Sequence, residues 1–178
     1  MAVMLTAFIW PTLCSSAFAA SSICIPVKPS QEKIRLIVAQ DQQVRVKGNF
    51  LVKSYSDVEV YGVLVVEGDI RIYDRLSLMI AGNGKVVVSG NVTSFTSAQK
   101  EFTIQDQGEF IVMGLFTTGT ETVISIAGNS VMSMDAILAD SDLVLRGDGK
   151  ILSNHCGCSC GDVERKRLCA RISVPSKN

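Results

Sequence analysis

A short phrase ending in glycine recurs through the middle of this chain at an almost constant interval. Val44-Arg45-Val46-Lys47-Gly48, Leu64-Val65-Val66-Glu67-Gly68, Val86-Val87-Val88-Ser89-Gly90 and Phe110-Ile111-Val112-Met113-Gly114 align without a gap. The glycines follow one another after 20, 22 and 24 residues (48 to 68, 68 to 90, 90 to 114). A fifth copy puts Met134 at the glycine position, and a sixth, frayed copy follows around Ile151. An alternating strand and a turn precede each phrase, as in Leu78-Met79-Ile80 before Gly82-Asn83-Gly84. A second alternating pair follows it, as in Phe50/Val52 and Ile70/Ile72. Each period therefore reads as three short strands joined by Gly/Asn/Asp turns.

An antiparallel sandwich needs turn signals every 8–12 residues or so but no constant longer period. A parallel β-helix needs one, because each coil stacks its strands on the coil below. The repeat predicts an all-β chain: a single-stranded, right-handed parallel β-helix of about six coils, each of roughly 22 residues. Its inward ladders are expected to be Val58/Leu78/Phe102/Ile124/Leu143, Val46/Val66/Val88/Val112/Met132 and Phe50/Ile70/Val92/Phe116/Ala136. Six coils at ~4.8 Å make a rod roughly 25–30 Å long.

The 178 residues suit one domain, and 47% hydrophobic against 19% charged residues exclude disorder over most of the length. Lys+Arg and Asp+Glu both number 17. Zero net charge argues against a nucleic-acid partner, which calls for a basic excess or stripe. A single His leaves little for metal or acid–base chemistry, and no cofactor is implied.

Val3 to Ala20 carry no charge, and Ala17-Phe18-Ala19 is the small-x-small pattern of a signal-peptidase site. Residues 1–19 are expected to be a signal peptide, making the protein secreted or surface-exposed. A membrane anchor is the alternative if the segment stays uncleaved. Residues 20–34 then form an N-terminal cap, 35–155 the β-helix, and 156–178 a Cys-rich C-terminal cap.

A solenoid's function is written on its outward rows. The first strand's row, Glu59, Met79, Thr103, Ser125 and Val144, holds no stacked carboxylates. The third strand's row runs Arg71, Thr93, Thr117, Ile137, with no continuous Thr file. The second strand's row is Arg45, Val65, Val87, Ile111, Val131, with Val63 nearby. Its apolar members form an assembly or binding stripe, unless Ile23 to Val38 or the C-terminal tail packs across them.

The cadence from Gly82-Asn83-Gly84-Lys85 to Val88-Ser89-Gly90-Asn91-Val92 resembles short bacterial β-helix proteins, notably bactofilins, and the passenger domains of surface adhesins. The resemblance covers roughly residues 35–155 and is architectural. The bactofilin likeness implies end-to-end polymers near the inner face of the membrane. An export signal and a Cys-rich tail depart from that pattern and fit an adhesin-like or envelope-structural role.

Five cysteines remain once Cys14 leaves with the signal: Cys24, Cys156, Cys158, Cys160 and Cys169. The Cys-x-Cys spacing beside His155 resembles thiolate metal sites, but an exported chain favours disulfides that staple the cap. The odd count predicts one free or intermolecular thiol. Asp162 is placed to N-cap a short helix in this tail. Arg146-Gly147-Asp148 has the form of an integrin-binding tripeptide, and Asn91-Val92-Thr93 that of a glycosylation sequon with Val92 inward and Asn91 at an exposed corner. The expected function is structural, adhesive or self-assembling, without catalysis. Two alternatives are a binding module for a glycan or host protein through a flat β-face, and a small carbohydrate-active enzyme using Asp135, Asp140 and Asp142.

Overall fold

The computed structural model describes residues 22–25, 34–139, 143–156 and 172–173, the first and last of these segments and Cys156 by backbone only. Every regular element among them is a β-strand, and every pairing is parallel. The chain is a β-solenoid of three strand faces. The first face stacks β2 (Ile34–Val38), β5 (Ser56–Val60), β8 (Leu76–Ile80), β11 (Lys100–Ile104), β13 (Thr122–Ile126) and β15 (Val144–Arg146). The second stacks β1 (Ser22–Ile25), β3 (Gln43–Val46), β6 (Val63–Val66), β9 (Lys85–Val88), β12 (Glu109–Thr117), β14 (Val131–Leu138), β16 (Lys150–Cys156) and β17 (Ile172–Ser173). The third holds β4 (Phe50–Val52), β7 (Ile70–Ile72) and β10 (Val92–Ser94), then the far halves of β12, β14 and β16. On the first face, paired positions are 22 (34 to 56), 20 (56 to 76), 24 (76 to 100), 22 (100 to 122) and 21 (123 to 144) residues apart. Those five steps separate six stacked strands and make about five turns of the solenoid.

Alternation decides which side chains go inside. Val58, Leu78, Phe102 and Ile124 pair in register and are each at most 4% exposed. Val46, Val66, Val88 and Val112 pair in register and are buried on the second face, as are Phe50, Ile70, Val92 and Phe116 on the third, each at most 5% exposed. These rungs match the sequence reading through the fourth coil.

The fifth coil differs. Met134, not Met132, faces Val112; Ile137, not Ala136, faces Phe116; and Leu145, not Leu143, faces Ile124. The outward rows move with them: Arg146 replaces Val144 beside Ser125, Ser133 replaces Val131 beside Ile111, and Leu138 replaces Ile137 beside Thr117. On the first and second faces the shift is two residues, so the alternation holds and Met132 and Met134 are both inward, 0% and 4% exposed. On the third face it is one residue, because a corner residue is missing. Met113-Gly114 stands between the paired positions of β12, but Asp135 alone stands between those of β14. A one-residue slip exchanges inward and outward side chains, so strict alternation fails there.

The glycine corner is held by an Asx ladder. Asp69 N–H donates to Asn49 Oδ1 at 2.9 Å, Asn91 N–H to Asp69 Oδ1 at 3.0 Å, and Leu115 N–H to Asn91 Oδ1 at 2.8 Å. A Cβ on Gly90 would lie 2.3 Å from Asp69 Oδ1, and one on Gly114 2.4 Å from Asn91 Oδ1. Glycine is required because each coil's amide must close onto the Asx below. Leu115 ends the ladder, and the next coil drops its corner residue.

Between the third and first faces three polar side chains are buried, with Leu76 standing between Ser56 and Lys100 in the stack. Ser56, Lys100 and Thr122 are each 0% exposed. Ser56 Oγ donates to Ser54 O at 2.9 Å, Lys100 Nζ to Thr96 O at 2.5 Å, and Thr122 Oγ1 to Thr118 O at 2.6 Å. Each side chain ties down the loop that enters its own strand, which offsets the cost of burying a polar group.

Candidate functional site

The second face carries the expected stripe, shortened at its upper end. Its central outward row is Arg45, Val65, Val87, Ile111, Ser133 and Leu152. Val131, assigned there by the sequence, lies instead in the neighbouring row of Gln43, Val63, Lys85, Glu109 and Lys150. Val63 shares that row, so Val65, Val87 and Ile111 form the continuous apolar centre, with Val63 and Val131 beside it. All five are half-buried by their neighbours in the sheet.

The tails do not run across this stripe where they are described. Ser22–Ile25 pairs beneath β3, putting Cys24 opposite Arg45, and Ile34–Val38 belongs to the first face. Ile172–Ser173 pairs above β16, with Leu152 opposite Ser173. Both tails lengthen the sheet.

Charges flank the apolar centre as pairs between coils. Arg45 Nη1 lies 2.7 Å from Glu67 Oε1, and Lys85 Nζ 2.7 Å from Glu109 Oε2. On the third face Arg71 donates to Asp69 Oδ2 from Nη2 at 3.0 Å and from Nε at 3.3 Å. The Asp69 carboxyl is held below the usual carboxylate range, first by the Asn91 N–H and then by Arg71, with burial opposing both. A depressed folded value stabilises the fold above the unfolded carboxylate value of about 4, and that contribution is lost as pH falls through the folded value. Acid denaturation followed by circular dichroism should therefore show a steeper loss of stability below about pH 4 in the parent than in Asp69→Asn. Identical profiles would mean the ladder does not depend on the carboxylate.

An aromatic pair at the edge of the third face escaped the sequence reading. Tyr73 and Phe95 stack with ring centroids 4.8 Å apart and planes 9° apart, and they are 41% and 55% exposed. Their separation of 22 residues (73 to 95) is one period, the signal that would have found them. Lys100 was also missed, although it is in phase with Phe102.

The remaining motifs serve the backbone where they are described. Asp148 Oδ1 accepts the Gly128 N–H at 3.0 Å, so the Asp of Arg146-Gly147-Asp148 caps the coil below. Asn91 is exposed with Val92 fully buried, as expected, and its Oδ1 belongs to the Asx ladder. Asp135 accepts from Asn154 Nδ2 at 3.1 Å and lies 3.8 Å from His155 Nδ1, while Asp140 and Asp142 lie outside the described residues. The expected leader at 1–19, Cys158, Cys160, Cys169 and the helix at Asp162 also fall outside them. Cys24 lies on the second face and Cys156, paired with Ile137, on the third, six strand spacings apart along the stack from β1 to β16, about 29 Å at ~4.8 Å each. A disulfide spans no more than about 7 Å between Cα atoms, so these two do not bridge within one chain.

No protein-family model matches the chain, nor does any curated protein or solved structure; its outward rows carry the functional reading.

Proposed function

We propose that this chain is a non-catalytic β-solenoid of the cell surface or secreted space, with a structural or adhesive role exerted through self-association of its second face. The observation behind this reading is the row Val65, Val87, Ile111, flanked by charge pairs and left uncovered where the tails are described. A flat sheet with an apolar centre and a polar rim has the make-up of a protein interface. Val87→Asp tests it by sedimentation: the variant is expected to stay monomeric at concentrations where the parent associates. A variant that associates like the parent would move the contact to another surface.

One observation favours the alternative of a ligand-binding module. The exposed Tyr73–Phe95 stack stands beside the Arg71–Asp69 pair, a juxtaposition of aromatic and planar polar groups that suits a glycan or a protein loop. On that reading the chain is a monomer with a saturable ligand, and Phe95→Ala abolishes binding.

A further inference from the structure

The order of side chains along the second face specifies how two copies would meet. This inference rests on the self-association reading and adds the geometry of the contact. The row beside the apolar centre runs Gln43, Val63, Lys85, Glu109, Val131, Lys150 from one end of the solenoid to the other. Reversed and laid upon itself, Lys85 meets Glu109 and Val63 meets Val131. The central row behaves the same way, with Val87 meeting Ile111 and Val65 meeting Ser133. The reversal pivots between β9 and β12, the middle of the eight strands stacked on this face. Overlap is therefore greatest at the same pivot that matches the charges.

We propose that the partner of the second face is a second copy of this chain, packed face to face about a two-fold axis that runs parallel to the strands between β9 and β12. Such a contact is isologous and closes as a dimer. The strands of the two sheets run in one direction while the solenoid axes oppose, and aligned sheets pack about 10 Å apart. Each Lys85 ammonium lies between its own Glu109 and the partner's.

The ends of the face fit less well. Glu67 comes to the level of the partner's Asp135, two like charges; within its own copy Glu67 is paired with Arg45 at 2.7 Å, whereas Asp135 accepts a hydrogen bond from the neutral Asn154 amide at 3.1 Å. Five spacings of ~4.8 Å by four residues of ~3.3 Å give a footprint of about 300 Å² per copy, well below the ~800 Å² of a standard interface. The dimer is accordingly weak, reversible and weakened further by salt.

A charge-swap mixture tests this geometry. Lys85→Glu alone faces two Glu109 carboxylates in its homodimer, and Glu109→Lys alone faces two Lys85 ammoniums. Each single variant should self-associate about tenfold more weakly than the parent, or less still. An equimolar mixture of the two restores opposite charges across the interface, though each chain keeps like charges within itself. The mixture should regain the parent's association to within about threefold, measured by sedimentation equilibrium on the purified chains. If the parent dimerises and the mixture gains nothing over the single variants, self-association stands and this geometry falls. If the parent stays monomeric at every concentration, both fall. Unchanged circular dichroism of each variant establishes that folding is not what was altered.

Discussion

Phe102→Ala should destabilise the solenoid by about 3–5 kcal/mol, a large share of the stability of a domain this size. Phe102 is 2% exposed, and its ring centroid lies 5.9 Å from that of Phe110 and 5.3 Å from that of Phe116. The three rings enter from the first, second and third faces, so together they fill the cross-section of one coil. Their neighbours one coil away are aliphatic: Leu78, Val86 and Val92 on one side, Ile124, Met132 and Ile137 on the other. The cavity left by Ala cannot collapse easily, because the coils on either side are fixed by their own parallel ladders. Removing the ring forfeits transfer free energy, dispersion contacts and the edge-on packing with Phe116 at once. Chemical denaturation of the variant and its parent reads the difference. A loss below about 1 kcal/mol would show that the three rings do not form one packed layer.

Gly62→Ala should cost about 3 kcal/mol or more, for a different reason. A Cβ there would stand 2.1 Å from Ala39 O and 2.3 Å from Gln42 O, both backbone atoms. Gln42 O accepts the Val63 N–H at 2.9 Å, so this carbonyl is part of the stack between coils. Neither oxygen can withdraw without opening the junction of the first and second turns. Gly48 is the internal comparison. Its φ is +83°, yet a Cβ would meet nothing within 4 Å. Gly48→Ala therefore carries only left-handed backbone strain, about 1–2 kcal/mol. The expected order is Gly62→Ala well below Gly48→Ala in denaturation midpoint. The reverse order would mean that backbone strain, and not closeness between coils, governs these corners.

Much of this was legible in the sequence because one physical requirement repeats in it. Parallel coils must present the same inward positions at the same interval, so Val46, Val66, Val88 and Val112 announce a ladder in the sequence itself. Legibility ended at Asp135. Met132 and Met134 are both inward, and nothing in their chemistry says which of them stacks on Val112; the missing corner residue then reverses the phase beyond Asp135. Val131 was placed in the stripe on that account, although it borders the stripe from the next row. The Asx ladder was half visible. Asn49, Asp69 and Asn91 follow the corner glycines in the sequence, but that each accepts the amide one coil away is a fact of stacking. Lys100 shows the opposite failure: its charge suggests solvent, whereas the Thr96 carbonyl makes a buried site for its ammonium.

The dimer through the second face is tested most directly by light scattering on the chain from Ala20 onward, diluted serially with and without reductant. The expected result is a mass that rises reversibly with concentration from monomer toward dimer and is indifferent to reductant. A strict monomer throughout would contradict the assembly face and turn attention to the Tyr73–Phe95 edge. A dimer that disappears on reduction would assign the association to the odd thiol instead.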